Sequence, residues 1–414
     1  MKPKLVTTLA DYSWPDLRGD ALAGITVALV ALPLSIAIAI ASGAPPAAGI
    51  TTAIIGGFLI SALGGSRVQI GGPTGAFIVL VYDVIDRHGM DGLIIATAMA
   101  GVILLIGGLL RAGRWMEKVP EPVVDGFTIG IAIVIAASQL RDFLGLHTPP
   151  LPADFIEKVP VLWQGRHSIN LPAALVGLMS LVAIAGFRKK WPQLPGPLVV
   201  LAIVSAGAAV WLPQVATVAG SYGQLPGGIG QPHLPQFSMA MARDLLPSAL
   251  AIAFLAGIES LLSAAVADRM IGARHRHGAE LLAQGAANLA AALFGGIPAT
   301  GAIARTATNV AAGGRTPVAG IVHALVIWAL VALAGGLAGQ LVMPGLAALL
   351  LLTAWNMAEP KRWGERLRLP RSELFVLFLT AGLTVLVDLT VAIAAGTVIG
   401  LALRKWRPAP PAAG

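Results

Sequence analysis

The chain has 414 residues, of which 56% are hydrophobic and 12% charged, and its mean hydropathy is +0.81. A soluble domain carries about 25% charged residues because its surface must be solvated, so a water-soluble globule is excluded. The net charge of +8 is assigned to the inner side of a membrane, where Lys and Arg collect, rather than to a nucleic-acid partner.

Cysteine is absent, which removes disulfides, thiol catalysis and Cys-ligated metal. The first twenty residues are polar and carry no h-region, so no cleavable signal peptide is expected. Beyond them the apolar residues come in blocks long enough to cross about 30 Å of hydrocarbon as helices. The expected fold is an all-α integral membrane protein. Its first set of segments runs over roughly 20–41, 46–63, a short block 74–86, 92–110, 121–140, 168–187 and 196–212. A second set covers roughly 245–267, 279–294, a short block 300–312, 317–336, 341–357, 373–387 and 389–404. That makes fourteen transmembrane segments, two of them too short to cross alone. Between the sets lies a Gly-, Pro- and Gln-rich linker, 213–244, and the tail 408–414 reads as disordered.

Charge placement supports the count. With the N-terminus inside, inner segments hold Lys2, Lys4, Arg18, Arg67, Arg111, Arg114, Lys118, Arg188, Lys189, Lys190, Arg269, Arg274, Arg276 and Arg315. They also hold Lys361, Arg362, Arg366, Arg368, Arg371, Arg404, Lys405 and Arg407, so 22 of the 28 basic residues are inside. Arg87, Arg141, Lys158, Arg166 and Arg243 fall outside, and Arg305 falls within a short block. This asymmetry follows the positive-inside rule and puts both termini in the cytoplasm.

The two short blocks open alike. The first reads Gly71-Gly72-Pro73-Thr74-Gly75-Ala76, and the second Gly295-Gly296-Ile297-Pro298-Ala299-Thr300-Gly301-Ala302. Each is the third element of a set of seven, and an odd count inverts the second copy: a 7+7 inverted repeat. Interrupted segments at matching places in inverted halves point to a midplane binding site. A helix that begins in mid-membrane presents backbone N–H groups without intrahelical partners and a partial positive charge. Two such half-helices, at segments 3 and 10, would form a positive slot for an anion, and Arg305 adds a full charge. The preceding stretches, 68–71 and 294–298, are tolerated only if buried in protein or lining a cavity. The competing explanation is that Gly and Pro merely kink packed helices. The repetition of the motif beside an arginine favours the site.

Glu259 lies in mid-span, where a carboxylate is costly and points to function. Ser263, four residues on, shares its helix face. A carboxyl subject to both burial and a nearby arginine suits a proton carrier coupled to anion movement. The alternative is a permanent Glu259–Arg305 ion pair. Glu280, Gln284 and Asn288 form a polar stripe best explained as packing between helices. Asn309, four residues after Arg305, is expected to orient it. Asp83, Asp125 and Asp388 are assigned to snorkelling or capping at span ends. His275 and His277 lack acidic or Cys companions, so no metal is expected there. There is no phosphate-binding G-x-x-x-x-G-K-[ST] loop and no nucleophile–base constellation, so neither ATP-driven transport nor an enzyme is expected.

Residues 20–40, 71–81, 257–268 and 280–320 resemble the SulP family, the sulfate-permease or solute-carrier 26 anion transporters. The most specific stretch, 280–320, matches E-x-x-x-Q-G-x-x-N, then F-G-G, a Gly-Ala…Arg-Thr…Asn run and A-G-x-x-[ST]-P. The resemblance covers about 15–405 and implies a uracil-transporter-like fold. Its divisions would be a cytoplasmic segment 1–19, core halves 20–110 and 245–336, gate halves 111–212 and 337–405, the extracytoplasmic linker 213–244 and a tail 406–414.

It further implies an elevator-like cycle and a homodimer in a bacterial-type cytoplasmic (inner) membrane. Substrate would contact Thr74, Gly75, Ala76 and Phe77 on one side and Gly301, Ala302 and Ile303 on the other, with Arg305 behind. Glu259 and Ser263 occupy positions resembling the family's ion-coupling site. Sodium-coupled bicarbonate members place Asp and Thr there, so Glu259 makes the proton the expected coupling ion, sodium less so, with no other cofactor.

Family members usually end in a STAS domain, and this sequence stops without one. Many sulfate-type members carry Gln after the first-segment proline, whereas Pro33 is followed by Leu34. The stretches PLSIAIAIASG, GIESLLSAAVADRM and LLLLTAWNMAE look closer to the bacterial C4-dicarboxylate branch. The expected function is therefore proton-coupled symport of a small dicarboxylate such as succinate or fumarate. Sulfate or bicarbonate transport, or an uncoupled anion exchanger or channel, remains the alternative. A nucleobase permease is disfavoured by Arg305, because a neutral base needs no fixed positive charge.

Overall fold

The structure, a computed structural model, describes residues 2–113, 119–191 and 194–405. Arg114 and Lys118 of the inner basic group, Arg407 and the tail 406–414 lie outside the described residues, as do the side chains of Arg404 and Lys405.

A short helix α1 (Lys4–Thr8) precedes α2 (Trp14–Ala41). Ser13 starts α2 with a capping box, its hydroxyl accepting from Asp16 N while the Asp16 carboxylate accepts from Ser13 N, so both orphan donors are satisfied. Next come α3 (Pro46–Thr51), a π-helical turn (Thr52–Gly56) and α4 (Gly57–Leu63). The chain is then extended through β1 (Gly71–Gly72), makes one 3-10 turn (Gly75–Phe77) and enters α5 (Ile78–Leu109). Gly89, at φ +66°, breaks α5, so the third and fourth blocks of the sequence run on as one interrupted element.

After this follow α6 (Glu121–Leu144), the connecting helix α7 (Phe155–Gly165), α8 (Leu171–Lys190) and α9 (Gly196–Trp211). The linker contains α10 (Val218–Tyr222), and Ser238 caps α11 (Met239–Ile271). Then come α12 (His277–Leu293), β2 (Thr300–Gly301), α13 (Ile303–Ala311), α14 (Val318–Gly339) and α15 (Met343–Met357). A single turn, α16 (Trp363–Arg366), leads to α17 (Arg371–Leu386) and α18 (Leu389–Lys405). Seven helices among the described residues are long and apolar enough to cross a membrane.

Two packing groups organise these helices. In one, α5 lies against α11 and α12, while α2 and α4 lie against α14. In the other, α6 packs on α15, α17 and α18, and α8 packs on α15. Large apolar side chains such as Leu333 and Trp211 are 88% and 79% exposed, as expected of surface that meets lipid rather than water.

Charged residues secure the ends of the elements. Asp388 caps α18 by accepting from Thr390 N and Val391 N. Asp83 pairs with Arg87 one turn on at 2.7 Å. Asp125 is not at a snorkelling position: Arg366, 4% exposed, grips it through Nε and Nη2, both at 3.1 Å. His275 is tied to Asp268 at 2.7 Å, and no group of three or more His, Asp or Glu side chains that could hold a metal occurs among the described residues.

Candidate anion site

The two extended stretches cross each other in the protein interior. β1 pairs antiparallel with β2, Gly71 opposite Gly301 and Gly72 opposite Thr300. Ala302 N donates to Ile70 O at 2.9 Å, and Ile70 N donates to the Thr306 hydroxyl at 3.1 Å. Non-helical backbone is thus satisfied by its counterpart from the other half, as burial in a membrane requires.

The polar stripe on α12 holds this crossing in place. Glu280, fully buried, accepts from Gly65 N at 2.9 Å, Ser66 N at 3.2 Å, the Ser260 hydroxyl at 2.7 Å and Gln284 Nε2 at 3.0 Å. Gln69 Nε2 donates to Ser260 Oγ at 2.9 Å. Asn288 forms two bonds with the Ala299 backbone, donating to its O and accepting from its N, both at 2.9 Å. Thr52 does the same for Ile297, with both distances 2.8 Å. These side chains fix the backbone that leads into both helix starts.

Thr74 opens the first start, and its hydroxyl donates to Glu259 Oε2 at 2.8 Å. Glu259 keeps part of its surface accessible although it sits within the long apolar helix α11. Gly75 faces the other packing group: a β-carbon there would lie 3.3 Å from Met357 Sδ of α15 and 3.7 Å from Ile135 Cδ1 of α6. Ala76 and Phe77 are 3% and 1% exposed, and both are packed into the main apolar cluster. On the second start Gly301 and Ala302 are buried, while Ile303 is 41% exposed.

Arg305 is 2% exposed. Its Nη2 donates to Pro73 O at 3.0 Å and to Ser35 Oγ at 3.3 Å. Its Nε and Nη1 have no protein partner. A β-carbon on Gly72 would sit 2.4 Å from Nη1, so the guanidinium reaches from α13 onto the strand that precedes α5. The permanent Glu259–Arg305 ion pair weighed from the sequence does not form: the two residues bond to Thr74 and to Pro73 and Ser35 respectively.

One sequence expectation is corrected by the geometry. Asn309 does not orient Arg305; its Nδ2 donates to Val68 O at 2.8 Å, holding the extended stretch instead. Ser263, which shares a helix face with Glu259, is fully buried and pairs with the Thr306 hydroxyl at 3.2 Å. Sequence reasoning missed Ser35, which a bare apolar span gave no reason to single out. It also missed Asp20, which accepts from Arg315 N at 2.7 Å, Thr316 N at 3.1 Å and Tyr12 Oη at 3.1 Å. Two other cavities, of about 400 Å³ beside Lys4, Arg67 and Arg315 and about 270 Å³ beside Asp125 and Arg366, do not include the helix starts.

The family description "Sulfate permease family" matches residues 17–380. A putative sulfate transporter of Bacillus subtilis, YvdB, is 42% identical over 389 residues, 94% of this chain and 73% of that protein. The bicarbonate transporter BicA of a Picosynechococcus species is 30% identical over 396 residues, 93% of this chain and 69% of that protein. The solved transmembrane domain of a cyanobacterial BicA superposes with a TM-score of 0.83 at 29% identity, covering 92% of this chain and 98% of that one. Murine Solute Carrier 26 family member A9 shares the fold, with a TM-score of 0.87 at 17% identity over 98% of this chain and 71% of that one. The chain therefore belongs to the sulfate permease family and is a multi-pass membrane anion transporter, not an enzyme.

Proposed function

We propose that the chain is a proton-coupled symporter of a small divalent oxyanion, with the anion bound between the starts of α5 and α13. The observation that carries this reading is Arg305: a buried guanidinium with two unpartnered nitrogens at the crossing of two helix starts. A buried charge without a full set of partners is costly, and an anion at the positive helix ends supplies them. Similarity to transporters described for sulfate and bicarbonate supports taking sulfate ahead of the C4 dicarboxylate suggested by three sequence stretches, with bicarbonate third.

Glu259 is the proton carrier in this reading. It shares a hydrogen bond with the helix start and keeps part of its surface accessible. The two packing groups correspond to core and gate, each built from both halves of a 7+7 inverted repeat of fourteen segments, with both termini cytoplasmic. The core would slide past the gate, Gly75 against Met357 and Ile135, in an elevator cycle within a homodimer of the inner membrane.

The test is uptake into liposomes buffered at about pH 7.5, a value close to the physiological range of histidine and proton chemistry, with the outside either equal or more acidic. Radiolabelled sulfate and succinate are the probes, with bicarbonate and uracil as competitors. Accumulation driven by the acid-outside gradient and inhibited by divalent oxyanions supports the reading. Rapid flux indifferent to the gradient would favour an exchanger or channel instead, and inhibition by uracil alone would overturn the anion assignment.

A further inference from the structure

His323 lies on α14, fully buried, and neither ring nitrogen has a protein partner. Such a group is rare, because buried polar atoms are nearly always hydrogen-bonded. Its surroundings connect it to the anion site. A β-carbon on Gly57 would lie 3.7 Å from the imidazole and 3.2 Å from Gly71 O, so Gly57 stands between the ring and β1. On the other side of Gly71, Gly72 is in contact with Arg305 Nη1. The chain of contact is therefore His323, Gly57, β1, Arg305.

The charged groups around the ring are few. Arg305 lies beyond Gly57 and β1 from it. Helix α4 and the π-helical turn, both packed on α14, carry no titratable residue. Helix α2 carries Asp16, Arg18 and Asp20, all near its start, and Asp20 is tied to Arg315 and Thr316. Thr316 precedes His323 by two helical turns, about 10 Å along the axis. Helix α10 offers only Tyr222, which is 47% exposed. Glu259 bonds Thr74, at the start of α5.

We propose that His323 is a second proton-binding group of the anion site, and that a divalent anion beside Arg305 is bound together with a proton on His323. The inference rests on the anion-symport reading and deepens it by naming the charge class. Arg305 alone balances one negative charge. Arg305 and an imidazolium together balance two, while Glu259 takes its own proton and becomes neutral. The proton enters with the anion and leaves with it. Without an anion, two cations in one buried region repel each other; a dianion removes that repulsion, and by linkage the proton promotes dianion binding equally.

The test measures sulfate and nitrate binding to the purified full chain between about pH 6 and 8, the range in which a histidine changes charge. Wild type, Glu259→Gln, His323→Gln, His323→Asn and the Glu259→Gln/His323→Gln double variant are compared. In Glu259→Gln, sulfate affinity should still fall with rising pH, by up to about tenfold per unit where one proton is linked, and nitrate affinity should not. The double variant should bind sulfate with no pH dependence. A second measurement needs no variant: ¹⁵N-histidine spectra of the wild type should show one of the seven histidines gaining a proton when sulfate is added at neutral pH. An undiminished pH dependence in the double variant, or spectra unaltered by saturating sulfate, overturns the inference while leaving the anion site standing. Failure of sulfate, succinate and nitrate to bind at all removes the proposed function and this inference with it.

Discussion

The hydroxyl of Thr74 donates to Glu259 Oε2 at 2.8 Å, so the start of α5 and the middle of α11 share one hydrogen bond across 185 residues of chain. The acceptor can be a carboxylate or the carbonyl oxygen of a neutral acid, so the contact survives protonation while its charge does not. Glu259→Gln keeps an acceptor oxygen and fixes the neutral state. It is expected to retain anion exchange while losing accumulation driven by a pH gradient, read as liposome uptake with and without that gradient. Undiminished proton-driven accumulation would end the coupling role of Glu259.

Arg305 binds Pro73 O and Ser35 Oγ through Nη2 and leaves Nε and Nη1 for a ligand. Arg305→Ala should abolish uptake while the protein still inserts and elutes as a monodisperse species. Arg305→Lys presents a single ammonium on a shorter reach and cannot reproduce the planar fork, so uptake well below wild type is expected from it too. Wild-type uptake in either variant would remove the positive slot from the mechanism.

Gly72 has φ +146° and lies against Arg305 Nη1. Gly72→Ala meets two penalties at once: a backbone region that costs non-glycine residues about 1–3 kcal/mol, and a β-carbon on the guanidinium. The expected result is a lower melting temperature and a reduced anion affinity, measured by thermal unfolding and equilibrium binding on one preparation. An unaltered affinity would mean that Arg305 does not depend on β1 for its position.

Most of the helices were legible because lipid imposes a length and a polarity that need no partner to be recognised. The glycine, proline and threonine of the two short blocks were legible for the same reason, since a broken helix in a membrane must have a cause. The pairing of Gly71 with Gly301 was not, because two residues of strand carry no periodicity. Nor could spacing say which neighbour a side chain prefers. Asn309 sits one turn from Arg305 but bonds Val68 from another element, and Ser263 shares a face with Glu259 but bonds Thr306. His323 escaped notice because a single histidine in an apolar helix has no pattern; only its unpartnered nitrogens and its nearness to β1 distinguish it.

Arg366 joins α6 to the segment after α15, binding Asp125 through two nitrogens and Glu359 at 2.7 Å. Removing one partner of a buried pair leaves an uncompensated charge and typically costs about 3–5 kcal/mol. Glu359 is 42% exposed and can be rehydrated, so Arg366→Ala should sit at the lower end of that range. The double variant Arg366→Leu/Asp125→Leu should recover much of the loss, because the stranded carboxylate goes with its partner. Thermal unfolding of the three proteins in one detergent decides the matter, and a double variant less stable than Arg366→Ala would contradict it.

Lys158 lies on α7, outside the seven long apolar helices, yet it is 4% exposed. Its ammonium donates to Ser138 Oγ at 2.8 Å and sits 5.7 Å from the centre of the Tyr82 ring. Burial lowers its pKa from the usual 10.5 to about 8, with Asp154 acting in the opposite sense. Between those two values the unfolded chain holds a proton that the folded chain has released, so folding stability rises with pH across that window. Below about pH 8 both states are charged and the burial penalty is present in full. Lys158→Met keeps the length of the side chain and removes the charge. It is expected to raise the melting temperature at pH 7, and the advantage over wild type should shrink steadily as the pH approaches 10. Melting curves of both proteins at several pH values test this, since a difference that stays constant with pH would show that Lys158 is as readily charged in the folded protein as in the unfolded one.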